Sequence, residues 1–247
     1  MSNQPDIDAF HKALNAGNVE KAREWIEKGI DVNEPNSDDV NAFYYAMHTL
    51  NVHYLPDKPV FELVKLLVDH GGDFNRPYQY GESGFFTAAA DGHLEAVDYM
   101  LDKNPDLTVT LQNGSTPLHC LAEKAEGRPV NVSLTIKKDG DAITLTDPDA
   151  IRKIHGSHPD DEYFRYVRTF ELLLEHGMDV HAVDSDGFTP IFTATRSGAT
   201  EMVALLLAHG AHPNVKDHWK VTPLHYAVRK GFADIVKFED VVSVLKN

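Results

Sequence analysis

Histidines are the side chains in this sequence that could most readily bind a metal ion or transfer protons, and there are fourteen of them. Two pairs have a spacing suited to shared metal ligation, His209 with His212 and His155 with His158. A protein zinc site needs three or four converging ligands, and neither pair completes such a set. The sequence therefore predicts no metal ion and no cofactor.

Nucleophilic catalysis has little support in the sequence. The single cysteine, Cys120, follows His119, but adjacent residues on a helix point in different directions and do not form a nucleophile–base pair. Phosphate-binding glycine loops, the Gly-x-Ser-x-Gly elbow and the His-Glu-x-x-His zinc motif do not occur. One cysteine also excludes an intrachain disulfide and fits a reducing cytoplasm. We expect a cytoplasmic protein that is not an enzyme.

The charge balance limits the possible partners. The 23 lysines and arginines stand against 38 aspartates and glutamates, for a net charge of −15. Nucleic-acid binding needs a clustered positive surface, so we expect no nucleic-acid partner. No apolar stretch is long enough to span a bilayer and the first residues lack a secretory signal, so we expect no membrane association. The acidity, strongest in residues 1–110, favours a basic protein partner.

A repeat with a period of 33 residues organises the chain. The stretch Thr222-Pro223-Leu224-His225 lies 33 residues after Thr189-Pro190-Ile191, and Thr116-Pro117-Leu118-His119 matches it upstream. The phrase His209–Asn214 follows His176–His181 at the same distance. Such periodicity is typical of stacked helical repeats.

These motifs resemble those of the ankyrin-repeat family. The resemblance implies an all-α fold, a solenoid of helix pairs with projecting fingers, here carrying a small β-hairpin insertion. We expect a single solenoid over residues 1–247, monomeric on its own. Its predicted units are roughly 5–37, 38–79, 80–112, 113–185, 186–218 and 219–247, with insertions at about 50–59 and 123–161.

Local signals agree with helix pairs. In the best units a threonine caps the first helix, and the following proline occupies the first turn, where no N–H is needed. Gly198 and Gly231 then end the first helix as left-handed caps. Lys220 replaces the usual finger glycine, so we expect the last finger to differ in shape.

The longer insertion has its own pattern. Apolar and polar residues alternate before Asp139-Gly140, which is a two-residue hairpin signal. Pairing around that turn places Ile136 opposite Ile143 and Leu134 opposite Leu145, so their apolar side chains share one face. This face either folds over the chain's own repeats or contacts a partner.

The resemblance also implies where a partner would bind, because finger tips and first helices line the concave face in this family. Aromatic residues at the tips are candidate anchors, although they could instead pack between neighbouring fingers. The predicted partner-binding residues are Tyr78, Tyr80, Glu82, Gln112, Asn113, Ser185, Asp186, Phe188, His218 and Trp219 in the fingers, with Leu134, Ile136, Ile143 and Leu145 in the insertion.

Three functions follow from these expectations. The leading one is a non-enzymatic protein–protein interaction module that inhibits or neutralises its partner, as an immunity protein does. The second is an effector or scaffold that bridges two proteins. The third is a metal-dependent enzyme that uses the insertion at 123–161.

Overall fold

A computed structural model describes residues 4–48, 58–78, 81–125, 135–138, 141–144, 162–233 and 235–236. It divides into two compact units, Met1–Gln112 and Asn113–Asn247. Their boundary coincides with the predicted limit between the third and fourth repeats. A single solenoid over the whole chain stays a prediction.

The described chain is mostly helical, which confirms the predicted fold class. None of the helices in the described ranges is long and apolar enough to cross a membrane. The first unit contains α1 (Gln4–Asn15), α2 (Val19–Glu27), α3 (Ala42–Met47), α4 (Lys58–Asp69), α5 (Gly84–Asp91) and α6 (Leu94–Leu101). The second contains α7 (Pro117–Lys124), α8 (Glu162–Glu175), α9 (Pro190–Ser197), α10 (Thr200–Ala208) and α11 (Pro223–Lys230).

Helices of the first unit form a ladder of neighbours. The first helices of successive repeats, α1, α3 and α5, contact one another in that order, and so do the second helices α2, α4 and α6. Phe10, Phe43 and Phe85 fill the resulting core from the first helices, and Leu63 and Leu67 contribute from α4. Each repeat therefore completes its core only with its neighbours.

The second unit has the same arrangement. Helix α9 contacts both α7 and α11, and α10 packs against α8. Leu118, Leu121, Phe170 and Phe192 are fully buried between these helices. Glycine residues Gly198 and Gly231 end α9 and α11 with φ of 73° and 77°, as predicted.

The threonine caps differ in detail from the prediction. The Thr116 hydroxyl lies 2.9 Å from Nδ1 of His119, and the Thr222 hydroxyl lies 2.6 Å from Nδ1 of His225. The hydroxyl thus bonds the signature histidine, while the threonine backbone begins the helix. Phe192 replaces that histidine in the intervening repeat, and the Thr189 hydroxyl has no partner among the described residues.

The finger that contains Lys220 keeps the shape of its neighbours, so the expectation of a different shape was wrong. Lys220 adopts a φ of 65°, in the same left-handed region as Gly187 at 82°. This left-handed conformation is less favourable for lysine than for glycine, because lysine has a Cβ atom. Hydrogen bonds within the turn hold it there, from the Val221 and Lys220 amides to Asp217.

Two strands are described within the longer insertion, β1 (Thr135–Lys138) and β2 (Asp141–Thr144). They pair in antiparallel fashion with Ile136 opposite Ile143, the register expected for the Asp139-Gly140 turn. Leu134, Leu145 and most of the insertion lie outside the described residues, and so do residues 50–57 of the shorter insertion, whose last two residues begin α4. How the hairpin packs stays a prediction.

The closest approach of α3 to α5 depends on Gly84. A Cβ at this position would lie 2.8–2.9 Å from Cβ, Cγ and Cδ1 of Phe43, closer than packed carbon atoms approach. We expect Gly84→Ala to lower the free energy of unfolding by about 1–3 kcal/mol, because overpacking forces a shift of the buried ring. Urea titration monitored by circular dichroism measures this, and Glu95→Ala on the exposed side of α6 is the control. Equal stability of Gly84→Ala and wild type would contradict the close approach.

Candidate protein-binding surface

An aspartate or asparagine side chain closes each well-formed finger. Oδ1 of Asp184 accepts hydrogen bonds from the amides of Asp186 (3.0 Å) and Phe188 (2.8 Å). Oδ1 of Asp217 accepts from Trp219 and Val221, both at 2.9 Å. These bonds fix the backbone of the finger tips, so that their side chains project from an ordered support.

Trp219 is the most exposed large apolar side chain of the described chain, with 68% of its surface accessible. Its neighbour His218 packs on the preceding finger, where the ring would lie 2.6 Å from a Cβ added to Gly187. The tip is therefore anchored on one side while the indole faces solvent. An exposed indole on a fixed backbone is typical of a binding anchor.

Phe188 does not have this role, because it is 5% exposed. Its ring stacks on Phe192 at 4.7 Å, and the Arg196 guanidinium lies over it at 5.1 Å. Arg196 also pairs with Glu123 at 2.5 Å. The sequence-based interpretation of Phe188 as an exposed anchor is wrong, because the ring is buried and packs on α9 of its own repeat.

The remaining predicted residues differ in their exposure, and some of them lie outside the described residues. Tyr80, Leu134 and Leu145 lie outside the described residues, and Ile136 and Ile143 are described only as members of the β-ladder. Glu82 is half-buried. The exposed set is Gln112 in the first unit, with Asn113, Ser185, Asp186, His218 and Trp219 in the second.

Tyr78 is half-buried and its hydroxyl is engaged internally. It donates to the Ser83 carbonyl at 3.2 Å and is hydrogen-bonded to the Thr87 hydroxyl. Burial raises the pKa of Tyr78, an effect that the Thr87 hydrogen bond opposes. Its ring meets Tyr44 of α3 at 5.5 Å and 80°.

Sequence reasoning missed an aromatic cluster around α3, although Asn41-Ala42-Phe43-Tyr44 stands where the repeat signature would be. His11 of α1 stacks on Tyr45 at 4.9 Å, and Tyr44 meets Tyr45 edge-on at 5.3 Å. His48 stacks on the Tyr44 ring at 4.4 Å. The available signal was the pair of adjacent tyrosines, Tyr44 and Tyr45, in the degenerate signature of the second repeat.

The terminal histidines of the repeats have a structural role. Nδ1 of His70, His176 and His209 lies 2.8, 2.9 and 2.9 Å from the carbonyl oxygen four residues earlier in its own helix. Within the ranges that the structure covers, no group of three or more histidine, cysteine or acidic side chains could hold a metal ion. His155 and His158 lie outside those ranges.

Comparison with known proteins identifies the fold family. Models described as "Ankyrin repeats (3 copies)" match residues 52–144 and 163–238, and one described as "Ankyrin repeats (many copies)" matches residues 10–57. The chain belongs to the ankyrin-repeat family. An ankyrin-repeat domain from Acinetobacter baumannii superposes with a TM-score of 0.69 at 22% identity, covering 95% of this chain and 97% of that one.

Several curated ankyrin-repeat relatives are similar at low identity. The putative ankyrin repeat protein YahD of Escherichia coli is 26% identical over 200 residues, 78% of this chain and 91% of the relative. The palmitoyltransferase AKR1 of Lachancea kluyveri is 25% identical over 81% of this chain, which spans only 26% of that relative. Fowlpox virus FPV222 is 26% identical over 79% of this chain and 20% of its own length. The ankyrin repeats indicate that the chain is a protein–protein interaction module. Proteins with this fold are typically not enzymes.

A buried carboxylate in the second ankyrin unit was not expected from sequence. Glu201 in the first turn of α10 is 5% exposed, and one carboxylate oxygen accepts a hydrogen bond from Tyr163 of α8. The other, Oε1, has no hydrogen-bond partner among the described residues. Burial raises the pKa of Glu201 to about 7, against the opposing effect of the Tyr163 hydrogen bond. Nothing in the sequence distinguishes this residue from a solvent-exposed helix glutamate.

Because the pKa of Glu201 in the folded state lies above the 4.5 of an ordinary glutamate, its contribution to stability is complete below pH 4.5 and lost as the pH rises through 7. We expect Glu201→Gln to increase the free energy of unfolding at pH 8 by up to about 3 kcal/mol relative to wild type, and much less at pH 5. Urea titrations at both pH values measure the difference. Glu175→Gln, on the exposed end of α8, should have no such pH-dependent effect. A Glu201→Gln effect equal at both pH values would show that the carboxyl group does not titrate between them.

Proposed function

We propose that this chain is a non-enzymatic ankyrin-repeat inhibitor that binds and neutralises a basic partner protein in the cytoplasm, in the manner of an immunity protein. The net charge of −15 supports the proposal most directly. A strongly acidic protein attracts basic partners and accelerates their association. Inhibition requires no chemistry from the chain, only occupation of a surface that the partner needs.

Trp219 is the proposed anchor of this interaction. Its side chain is exposed while the Asp217 carboxylate fixes its amide, so little backbone ordering is lost on binding. Tryptophan is among the residues most enriched at the energetic centres of protein interfaces. Exposed Asp186 and Ser185 on the neighbouring finger would add polar contacts.

Trp219→Ala should weaken binding to a partner captured from cell extract by at least about tenfold, because an anchor residue contributes about 2 kcal/mol or more. Surface plasmon resonance with the purified partner measures the dissociation constant. Val183→Ala is a matched control, since Val183 is also an exposed apolar side chain, at 57%. Unchanged affinity of Trp219→Ala, with an unchanged melting temperature, would remove Trp219 from the interface.

A scaffold that bridges two proteins is the second candidate function. The division of the chain into two compact units, each with its own core, supports it, because each unit could bind a different partner. An inhibitor would form a complex with one partner, which Trp219→Ala weakens. A scaffold would retain a second partner in the same variant. Affinity capture with both forms, followed by mass spectrometry, separates the two functions.

The hairpin in the longer insertion is proposed to contact the partner through Ile136 and Ile143, with Leu134 and Leu145. Replacing residues 128–158 by a short Gly/Ser turn should leave helical content and cooperative unfolding intact, because loop length between helices has a small entropic effect. Binding to the captured partner should weaken. Circular dichroism and surface plasmon resonance measure the two effects. Loss of cooperative unfolding would show that the hairpin belongs to the core, and unchanged affinity would remove it from the interface.

A further inference from the structure

Three tyrosine rings of the aromatic cluster in the first unit, those of Tyr44, Tyr45 and Tyr78, form a corner. Tyr45 and Tyr78 each meet Tyr44 nearly at right angles, at 89° and 80°, with ring centroids 5.3 and 5.5 Å away. Tyr44, Tyr45 and Tyr78 are all half-buried, so each ring is supported by the protein and also reaches the surface. Rings at right angles turn their faces in different directions, as the walls of a cation-binding site do.

Four aromatic rings elsewhere in the described chain have a lysine or arginine of the chain itself over them. Lys28 lies over Trp25 at 4.5 Å, and Arg229 lies over Tyr226 at 4.3 Å. Tyr99 has two lysines over its ring, and Phe188 has Arg196. Over the three rings of the corner, by contrast, the described residues place no lysine or arginine, although His48 stacks on Tyr44 and His11 stacks on Tyr45, each on one side of the ring.

The charges that act on two of these rings are those of carboxylates. Tyr45 has a raised pKa, chiefly because of burial, and the charges of Asp38 and Asp8 add to the effect. Burial likewise raises the pKa of Tyr78, with further contributions from the charges of Glu82 and Asp91. Asp38 is exposed and Glu82 is half-buried. The cluster therefore combines aromatic rings with a local excess of negative charge.

The histidine behind Tyr45 does not offset this charge. His11 is 2% exposed, and neither of its ring nitrogens has a hydrogen-bond partner among the described residues. Burial lowers the pKa of His11 to about 4, although the charge of Asp8 opposes the shift. The imidazole is thus neutral at physiological pH and acts as an aromatic support rather than as a positive charge.

We propose that the corner formed by Tyr44, Tyr45 and Tyr78 binds an arginine side chain of a basic protein partner, with Asp38 and Glu82 beside it. This inference rests on the proposed function and names the chemistry that the first unit recognises. The planar guanidinium fits because it stacks on aromatic faces and donates to carboxylates at the same time. An ammonium group offers the charge without the planar surface.

A fluorescein-labelled nonapeptide with three arginines spaced by glycine and serine is the probe, titrated with the full chain by fluorescence anisotropy. Tyr44→Leu should weaken its binding about fivefold or more, the loss expected for a partly desolvated cation–π contact. Tyr44→Phe keeps the ring and should bind like wild type. Circular dichroism and thermal unfolding confirm that each variant is folded.

Two matched variants separate local recognition from general attraction. Tyr99→Leu removes another half-buried tyrosine of the first unit, one that already has lysines over it, and should leave binding unchanged. Asp38→Asn should weaken binding several-fold, whereas Asp98→Asn, which removes an equal charge from the exposed side of α6, should have less effect. An otherwise identical peptide with uncharged citrulline should not bind detectably, and a lysine peptide should bind more weakly.

Unchanged arginine-peptide affinity in folded Tyr44→Leu would overturn the proposal, and so would citrulline-peptide binding as tight as that of the arginine peptide. An equal loss in Asp38→Asn and Asp98→Asn would also overturn it, because the attraction would then be general. The proposed function fails by a different result, the absence of any protein that binds the full chain, so the two failures are distinguishable.

Discussion

Burial between neighbouring repeats is the interaction on which the rest of the structure depends. A pair of helices of six to fourteen residues each has too little apolar surface to exclude water on its own. The Phe43 ring packs against α5 at Gly84, where even a methyl group would clash with it. The Phe192 ring packs against Tyr226 of the next repeat, with the ring centroids 5.1 Å apart. The fingers are positioned only as a consequence, since each one extends from helices that are held by this packing.

Features set by local backbone chemistry could be predicted from the sequence, and features that depend on side-chain packing or on the hydrogen bonds of a whole turn could not. The glycine ends of α9 and α11 and the proline starts of α9 and α11 follow from backbone chemistry alone. Burial of Phe188 depends on the adjacent Phe192 and Arg196, which the finger sequence does not contain. The error over Lys220 has a related origin, because hydrogen bonds to Asp217 in the same turn outweigh the conformational preference of one side chain.

Equivalent positions acquire different roles according to what covers them. His119 is 2% exposed and its Nε2 lies 3.1 Å from the Phe188 carbonyl oxygen of the next finger. His225, the same signature residue one repeat after Phe192, is exposed. Thr195 is fully buried, while Val228, which is 33 residues later, is 62% exposed. The repeat sequence therefore specifies a backbone, and the neighbouring repeat decides whether a given side chain is core or surface.

We expect a repeat protein of this kind to recognise its partner through side chains that the repeats neither bury nor pair with an opposite charge. Some rings are not of this kind, because a lysine or arginine of the same helix or a neighbouring one already lies over them. Trp219 is exposed because it lies at a finger tip. The Tyr44 corner combines aromatic rings with carboxylates instead of cations. Both proposed sites are built on aromatic side chains, one at a finger tip and the others in or beside a first helix. We expect a specific partner to be recognised at such side chains, because the packing of the repeats leaves them partly uncovered.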